Sequence, residues 1–168
     1  MMRIAGVMHE SIVDGPGVRF VVFAQGCRHR CPGCHNPETW DPAGGEEWSV
    51  RDLFRIIRKS PAYVGGLTLS GGEPFLQAGQ MADLASLAHK RGLSVAAYTG
   101  YVYDDLLEMA EREPDIARLL GETDILVDGP FVEKMKDISL RFRGSANQRV
   151  IDLKASREGD AVVLLPET

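Results

Sequence analysis

The sequence predicts an α/β fold with a mostly parallel sheet, built either as an incomplete, open TIM-like β/α barrel or as a small doubly wound sheet. Three observations predict it. Apolar segments of strand length alternate with segments of helical periodicity, the pattern of parallel strands joined by right-handed crossovers. The chain has 168 residues, whereas a closed eight-stranded barrel takes about 250. Four successive strand exits carry Cys, Gly-Gly-Glu, Thr-Gly-Tyr and Asp-Gly-Pro, and a parallel sheet gathers such exits at the face where α/β folds place ligands. One domain spanning 1–168 is expected, with 44% apolar and 26% charged residues supplying an ordinary core and surface.

The elements follow in order. Residues 4–8 are apolar, and Val18-Arg19-Phe20-Val21-Val22-Phe23-Ala24 is a β-branched and aromatic run; both read as strands. Asp14-Gly15-Pro16-Gly17 between them is turn chemistry. After a Pro- and Gly-rich loop over 36–47, Ser49 caps an amphipathic helix with Leu53, Phe54, Ile56 and Ile57 on one face. Residues 64–69 form a strand that exits through Ser70-Gly71-Gly72-Glu73-Pro74. A helix over 76–91 then presents Leu76, Met81, Leu84, Ala85, Leu87 and Ala88, and Gly92 ends it. A strand over 93–98 exits through Thr99-Gly100-Tyr101 into a helix over 102–112, and Pro114 starts a second short helix. Residues 123–127 are a buried strand exiting at Asp128-Gly129-Pro130. Residues 131–147 mix basic residues with Phe142, and 150–153 and 162–165 read as two last strands.

A formal net charge of −5 argues against nucleic acid or an anionic membrane as the main partner. No apolar run reaches the roughly 18–20 residues that span a bilayer, and the first residues are too short for a secretory signal, so a cytoplasmic protein is expected. In that compartment, clustered cysteines read as metal ligands rather than disulfides.

All three cysteines lie in Gly26-Cys27-Arg28-His29-Arg30-Cys31-Pro32-Gly33-Cys34-His35-Asn36, spaced C-x3-C-x2-C on a loop leaving a buried strand. Structural zinc and ordinary ferredoxin sites take four protein ligands. Three thiolates therefore suit a 4Fe-4S cluster with one iron open to a ligand from outside the protein. The alternatives are zinc with His29 or His35 as fourth ligand, and a redox dithiol at Cys31-Pro32-Gly33-Cys34, which leaves the third cysteine without a role. Arg28, His29 and Arg30 either favour thiolates through their field or are solvated loop charges.

The cysteine loop together with Gly71-Gly72-Glu73-Pro74 resembles the radical S-adenosylmethionine superfamily. Val13-Asp14-Gly15-Pro16-Gly17-Val18-Arg19 and Cys34-His35-Asn36-Pro37-Glu38-Thr39-Trp40 are similar to its glycyl-radical-enzyme activases. Tyr98-Thr99-Gly100-Tyr101, Asp124-Ile125-Leu126-Val127-Asp128-Gly129-Pro130-Phe131 and Arg143-Gly144-Ser145-Ala146-Asn147-Gln148-Arg149 resemble the activases of anaerobic ribonucleoside-triphosphate reductase. The resemblance implies the open barrel, one radical S-adenosylmethionine domain over 1–168, and two cofactors, a 4Fe-4S cluster on Cys27, Cys31 and Cys34 and S-adenosylmethionine. It further implies reductive cleavage of the sulfonium and hydrogen abstraction from a glycine of a large partner, the anaerobic reductase, with an external one-electron donor.

By the same resemblance Gly71, Gly72 and Glu73 serve the methionyl end. Thr99 and Asp128 are pocket polar groups, or else a helix cap and a turn carboxylate. The residue before the last cysteine, often aromatic in the superfamily, is Gly33 here, which makes His35 the candidate for the adenine. No general acid or base is required, so His9, His29 and His89 take no catalytic role, and His89 is expected at the surface. The basic segment 131–149, with Lys134, Lys136, Arg141, Arg143 and Arg149, either docks the partner or is a solvated lid. Other readings are a pyruvate formate-lyase activase type, a 7-carboxy-7-deazaguanine synthase type, and a non-catalytic zinc-binding interaction module.

Overall fold

The strand that delivers the cysteine loop is the inner partner of a hairpin. β1 (Met2–Ser11) pairs antiparallel with β2 (Val18–Ala24), with register shifts between Ile4 and Gly6 and between Met8 and Ser11. A computed structural model describes residues 1–166. β1 is longer than the apolar stretch 4–8 because pairing with β2 carries its polar end, His9 to Ser11, into the sheet. The loop expected over 36–47 ends in a short edge strand, β3 (Glu46–Trp48), paired antiparallel with β1.

From β2 onward the alternation of strands and helices holds. α1 (Val50–Ile57) starts where Ser49 Oγ accepts the Asp52 amide at 3.0 Å. β4 (Val64–Gly71) lies parallel to β2. A single 3-10 turn from Pro74 leads into α2 (Ala78–Lys90), which buries Met81, Leu84, Ala85 and Ala88. Its end is a Schellman motif: Gly92, at φ +81°, donates to His89 O and Leu93 donates to Ala88 O. β5 (Ser94–Tyr98), α3 (Tyr103–Ala110), α4 (Pro114–Gly121) and β6 (Ile125–Asp128) follow, with Pro114 in the first turn of α4.

The end of the chain departs from expectation. β7 (Arg149–Asp152) pairs antiparallel with β6, but Leu153 opens a helix, α5 (Leu153–Gly159), rather than ending a strand. Asp152 caps it by accepting the Ala155 amide at 3.0 Å, and only Leu153 and Ser156 are buried, too little apolar periodicity to mark a helix. The strand expected over 162–165 is reduced to a bridge from Leu164 to Ile151.

The sheet order is β3-β1-β2-β4-β5-β6-β7, with four parallel strands at the centre and antiparallel pairs at both edges. It is open. One face carries Phe20, Val22, Leu67, Leu69, Val95 and Ala97 into a single core with the helices. Period two sends Arg19, Val21, Thr68, Ser70, Ala96 and Tyr98 to the other face, which lines the interior of the incomplete barrel. Among the described residues no helix is long and apolar enough to cross a membrane.

Arg19 is the exception in this interior, a charged side chain 1% exposed. Its guanidinium donates to Thr68 Oγ1, Pro16 O, Leu67 O and both oxygens of Ser94 at 2.7–3.1 Å. Burial holds its pKa below the ordinary arginine value, with Asp124 pulling the other way. A Cβ at Gly66 would collide with this guanidinium, which is why β4 is bare there. The network joins β2, β4 and β5 at their amino ends, opposite the cysteine loop.

Candidate active site

The cysteine loop is closed by its own backbone. Gly26 donates to Thr39 O at 2.6 Å and Cys27 to Trp40 O at 3.1 Å, so the chain leaves β2 and returns beside it within fourteen positions. Inside this closure Cys34 N donates to Cys31 O at 3.0 Å, and the Asn36 amide points at Cys34 Sγ at 3.4 Å. Burial pushes the Cys27 thiol pKa up, the amides of His29 and Arg30 oppose this, and the charge of Glu73 adds to it. Gly33, at φ +77°, packs against Glu133: a Cβ there would lie 2.9 Å from that carboxyl carbon. The positive backbone angle disfavours any side chain at this position, and an aromatic one would also have to displace the exposed Glu133 carboxylate.

Next to the loop comes the Gly-Gly exit of β4. Gly72 donates to Ala24 O at 2.7 Å and Glu73 to Gly26 O at 2.8 Å, which fixes it to the exit of β2. A Cβ on Gly71, at φ +90°, would sit 2.5 Å from Ala24 N, and one on Gly72 would collide with the carbonyl of Gly26. The two glycines are what allow these backbones to touch.

Cys27, Cys31 and Cys34 line one cavity of about 620 Å³, together with His29, His35, Gly71, Gly72 and Thr99. Sequence reasoning placed these residues at one face, and the structure brings them to one cavity wall. Glu73, expected at the methionyl end, and Asp128, expected as a pocket group, are not on that wall. Glu73 is 1% exposed, and its Oε1 accepts from Thr99 Oγ1 at 2.8 Å and Gly100 N at 2.9 Å and lies 2.7 Å from His29 Nε2. Its Oε2 accepts the Phe75 amide at 3.1 Å. This buried carboxylate ties the cysteine loop to the exits of β4 and β5. Asp128 accepts the Tyr103 amide at 2.9 Å, capping α3 from the neighbouring strand, and accepts Arg149 through both oxygens at 3.0 and 2.5 Å. Asp128 is thus neither a pocket group nor a turn carboxylate: it serves the first amide of α3 and binds Arg149.

Three functional contacts escaped the sequence. His29 packs its ring edge on Tyr101, with centroids 4.5 Å apart, and rests against Gly100, where a Cβ would collide with it. Tyr98, in the interior, donates from its hydroxyl to Phe142 O at 2.5 Å, which pins the segment after β6 over the cavity; burial drives its pKa far upward. Arg149 holds Asp128. The only signal available for these was membership in the quoted motifs, since spacing alone pairs none of them. His35 stands at the cavity rim with its ring 5.2 Å from that of Phe131.

The donor set tests which group these residues suit. A single zinc ion at about 2.3 Å from each sulfur needs thiolates converging on one point. Among the described residues no three His, Cys, Asp or Glu side chains are gathered in that way. Three thiols on the wall of one cavity suit an iron-sulfur cluster held at three of its irons, and the cavity's volume of about 620 Å³ lies in the range of small-molecule sites.

The 4Fe-4S single cluster domain family matches residues 13–151. The pyruvate formate-lyase-activating enzyme of Clostridium pasteurianum is 41% identical over 117 residues, covering 67% of this chain and 49% of that protein, so the chain spans about half its length. The anaerobic ribonucleoside-triphosphate reductase-activating protein of Escherichia coli strain K12 is 36% identical over 157 residues, covering 85% of this chain and 94% of that protein. Among solved structures, QueE from Escherichia coli is 21% identical with a TM-score of 0.46, covering 59% of this chain and 52% of that one.

Proposed function

The chain belongs to the 4Fe-4S single cluster domain family, among the radical S-adenosylmethionine activases of glycyl-radical enzymes, and from that membership we propose that it installs a glycyl radical on a large partner enzyme. The observation that carries this reading is the convergence of Cys27, Cys31 and Cys34 with Gly71 and Gly72 on one cavity. When bound, the cluster and S-adenosylmethionine supply the one-electron chemistry.

The chain's own residues supply position and shelter. Cys27, Cys31 and Cys34 would hold three irons. Gly71 and Gly72 offer bare backbone to the methionyl end, Thr99 lies on the same wall, and His35 beside Phe131 serves the adenine. Glu73 and Asp128 act from behind the wall, the first through His29, Thr99 and Gly100, the second through α3 and Arg149. Phe131, Leu140 and Phe142 give the cavity an apolar lining.

Access for a macromolecule is supported by apolar side chains at the mouth: Ile12, Val13 and Ile138 all line the cavity while being 74%, 68% and 93% exposed. The segment 131–149 that supplies Ile138 is the docking element. The partner is an anaerobic ribonucleotide reductase, supported by near full-length coverage of the relative so named. The 41% identity to a pyruvate formate-lyase-activating enzyme favours a second partner class over the same cavity. An external donor supplies the electron, and the net charge of −5 with free cysteines supports a cytoplasmic protein that binds neither nucleic acid nor membrane. Electron paramagnetic resonance tests this. Mixing the reduced, cluster-loaded protein with S-adenosylmethionine and the anaerobic reductase should give a glycyl-radical doublet. A doublet with pyruvate formate-lyase alone would reassign the partner, and none with either would overturn the function.

A further inference from the structure

A second cleft, of about 460 Å³, lies on the outer side of the cysteine loop. Cys27 is the one residue that it shares with the main cavity, so this cysteine stands in the wall between the two. Arg3, Arg28 and Arg30 line the cleft with Trp40, and among the described residues no carboxylate does. In a chain of formal net charge −5 this is a local reversal of sign.

The arginines differ in what they already do. Arg3 is committed to the fold, with Nε donating to Gly44 O at 2.8 Å and Nη1 3.2 Å from Glu47. Arg28 and Arg30 are exposed, and among the described residues neither has a carboxylate partner. Arg30 takes φ 49°, a region that disfavours any residue but glycine, and its guanidinium lies 5.8 Å from the centroid of Trp40. The indole Nε1 of Trp40 is buried with no hydrogen-bond partner. Two exposed guanidinium groups without a carboxylate partner, on a strained loop beside Cys27, are arranged for an anionic visitor rather than for the stability of the chain.

We propose that this cleft docks an acidic one-electron carrier protein and that the electron enters past Cys27; the proposal rests on the reading that Cys27, Cys31 and Cys34 hold the cluster. The two clefts divide the traffic. Cosubstrate and the partner's glycine reach the centre from the inner cavity, while the carrier approaches from the outer side and need not leave before they arrive. In the transfer the reduced flavin or iron-sulfur group of the carrier loses one electron and the cluster gains one, with no bond made or broken. Charge suits a transient encounter of this kind, since redox interfaces are small and long-range attraction sets their association rate.

The test compares wild type with Arg28→Glu/Arg30→Glu and with the charge-conserving Arg28→Lys/Arg30→Lys, all cluster-loaded. The probes are an acidic flavodoxin and dithionite. Binding of oxidised flavodoxin is followed by calorimetry, and cluster bleaching by stopped-flow absorbance. The glutamate pair should weaken flavodoxin binding and slow its bleaching by at least about tenfold at low salt, with the gap closing as salt rises. Dithionite bleaching should be unchanged, and the lysine pair should stay near wild type. Equal flavodoxin affinity in wild type and the glutamate pair would overturn the docking site. Wild-type protein that dithionite cannot bleach would instead overturn the cluster reading, and the docking with it.

Discussion

At the scale of single residues, the acidic side chains of this site support rather than touch. Glu73 is a buried carboxylate whose oxygens are all engaged by the loop and strand exits around it, so its value lies in holding His29 and Thr99 in register. His89, expected at the surface, is likewise engaged: Nδ1 lies 2.7 Å from Glu122 and Nε2 2.8 Å from Asp124. Burial alone would lower its pKa, but hydrogen bonds with Asp124 and Glu122 outweigh this and raise it. A raised folded-state pKa stabilises the fold fully below the unfolded value of about 6.5, and this stability is lost as pH rises through the folded value. Urea denaturation should therefore show stability falling over that window, and His89→Gln should flatten the dependence; an unchanged pH profile in the variant would refute the pairing. That the three cysteines share one cavity wall was legible because they lie within eight positions of one loop. Apart from the Phe75 amide two positions from Glu73, the partners of Glu73, Asp128 and His89 were not, because those contacts span 21 to 44 positions and no periodicity links them.

At the scale of elements, helices and inner strands were read from caps, periodicity and glycine stops. Ser49, Gly92 and Pro114 each stand where those signals put them. Edges were harder. β3 and the bridge at Leu164 exist only through pairing, and α5 depends on the Asp152 cap and two buried side chains. By pattern Arg19 is one residue of a β-branched and aromatic strand, yet it joins β2, β4 and β5 through five hydrogen bonds. Arg19→Leu leaves buried carbonyls without donors and should cost about 3 kcal/mol in urea unfolding at constant m-value. Arg19→Lys should not recover it, since an ammonium cannot reach the same forked set of acceptors. A cost below about 1 kcal/mol would mean that water replaces the network.

At the scale of the whole molecule, topology does the gathering. The hairpin β1–β2 and three parallel crossovers place the exits of β2, β4, β5 and β6 around one opening, and the segment 131–148 crosses it under the Tyr98 tether. The fold class and the wall of the cavity could be read from the order of strands and exits. Which exit residues face inward could not, because that depends on how the backbones of Gly71 and Gly72 dock on Ala24 and Gly26. The second cleft was invisible for the same reason, since Arg3 and Arg30 come to line one cleft only through the closure of the loop beside β2. The central claim is that three thiolates leave one iron for the cosubstrate, and Mössbauer spectroscopy of the reconstituted protein tests it directly. One iron site in four should change its parameters on adding S-adenosylmethionine, and Cys27→Ala, Cys31→Ala or Cys34→Ala should each abolish the cluster while far-UV circular dichroism is retained. Four iron sites indifferent to S-adenosylmethionine, or an intact cluster in all three variants, would contradict it.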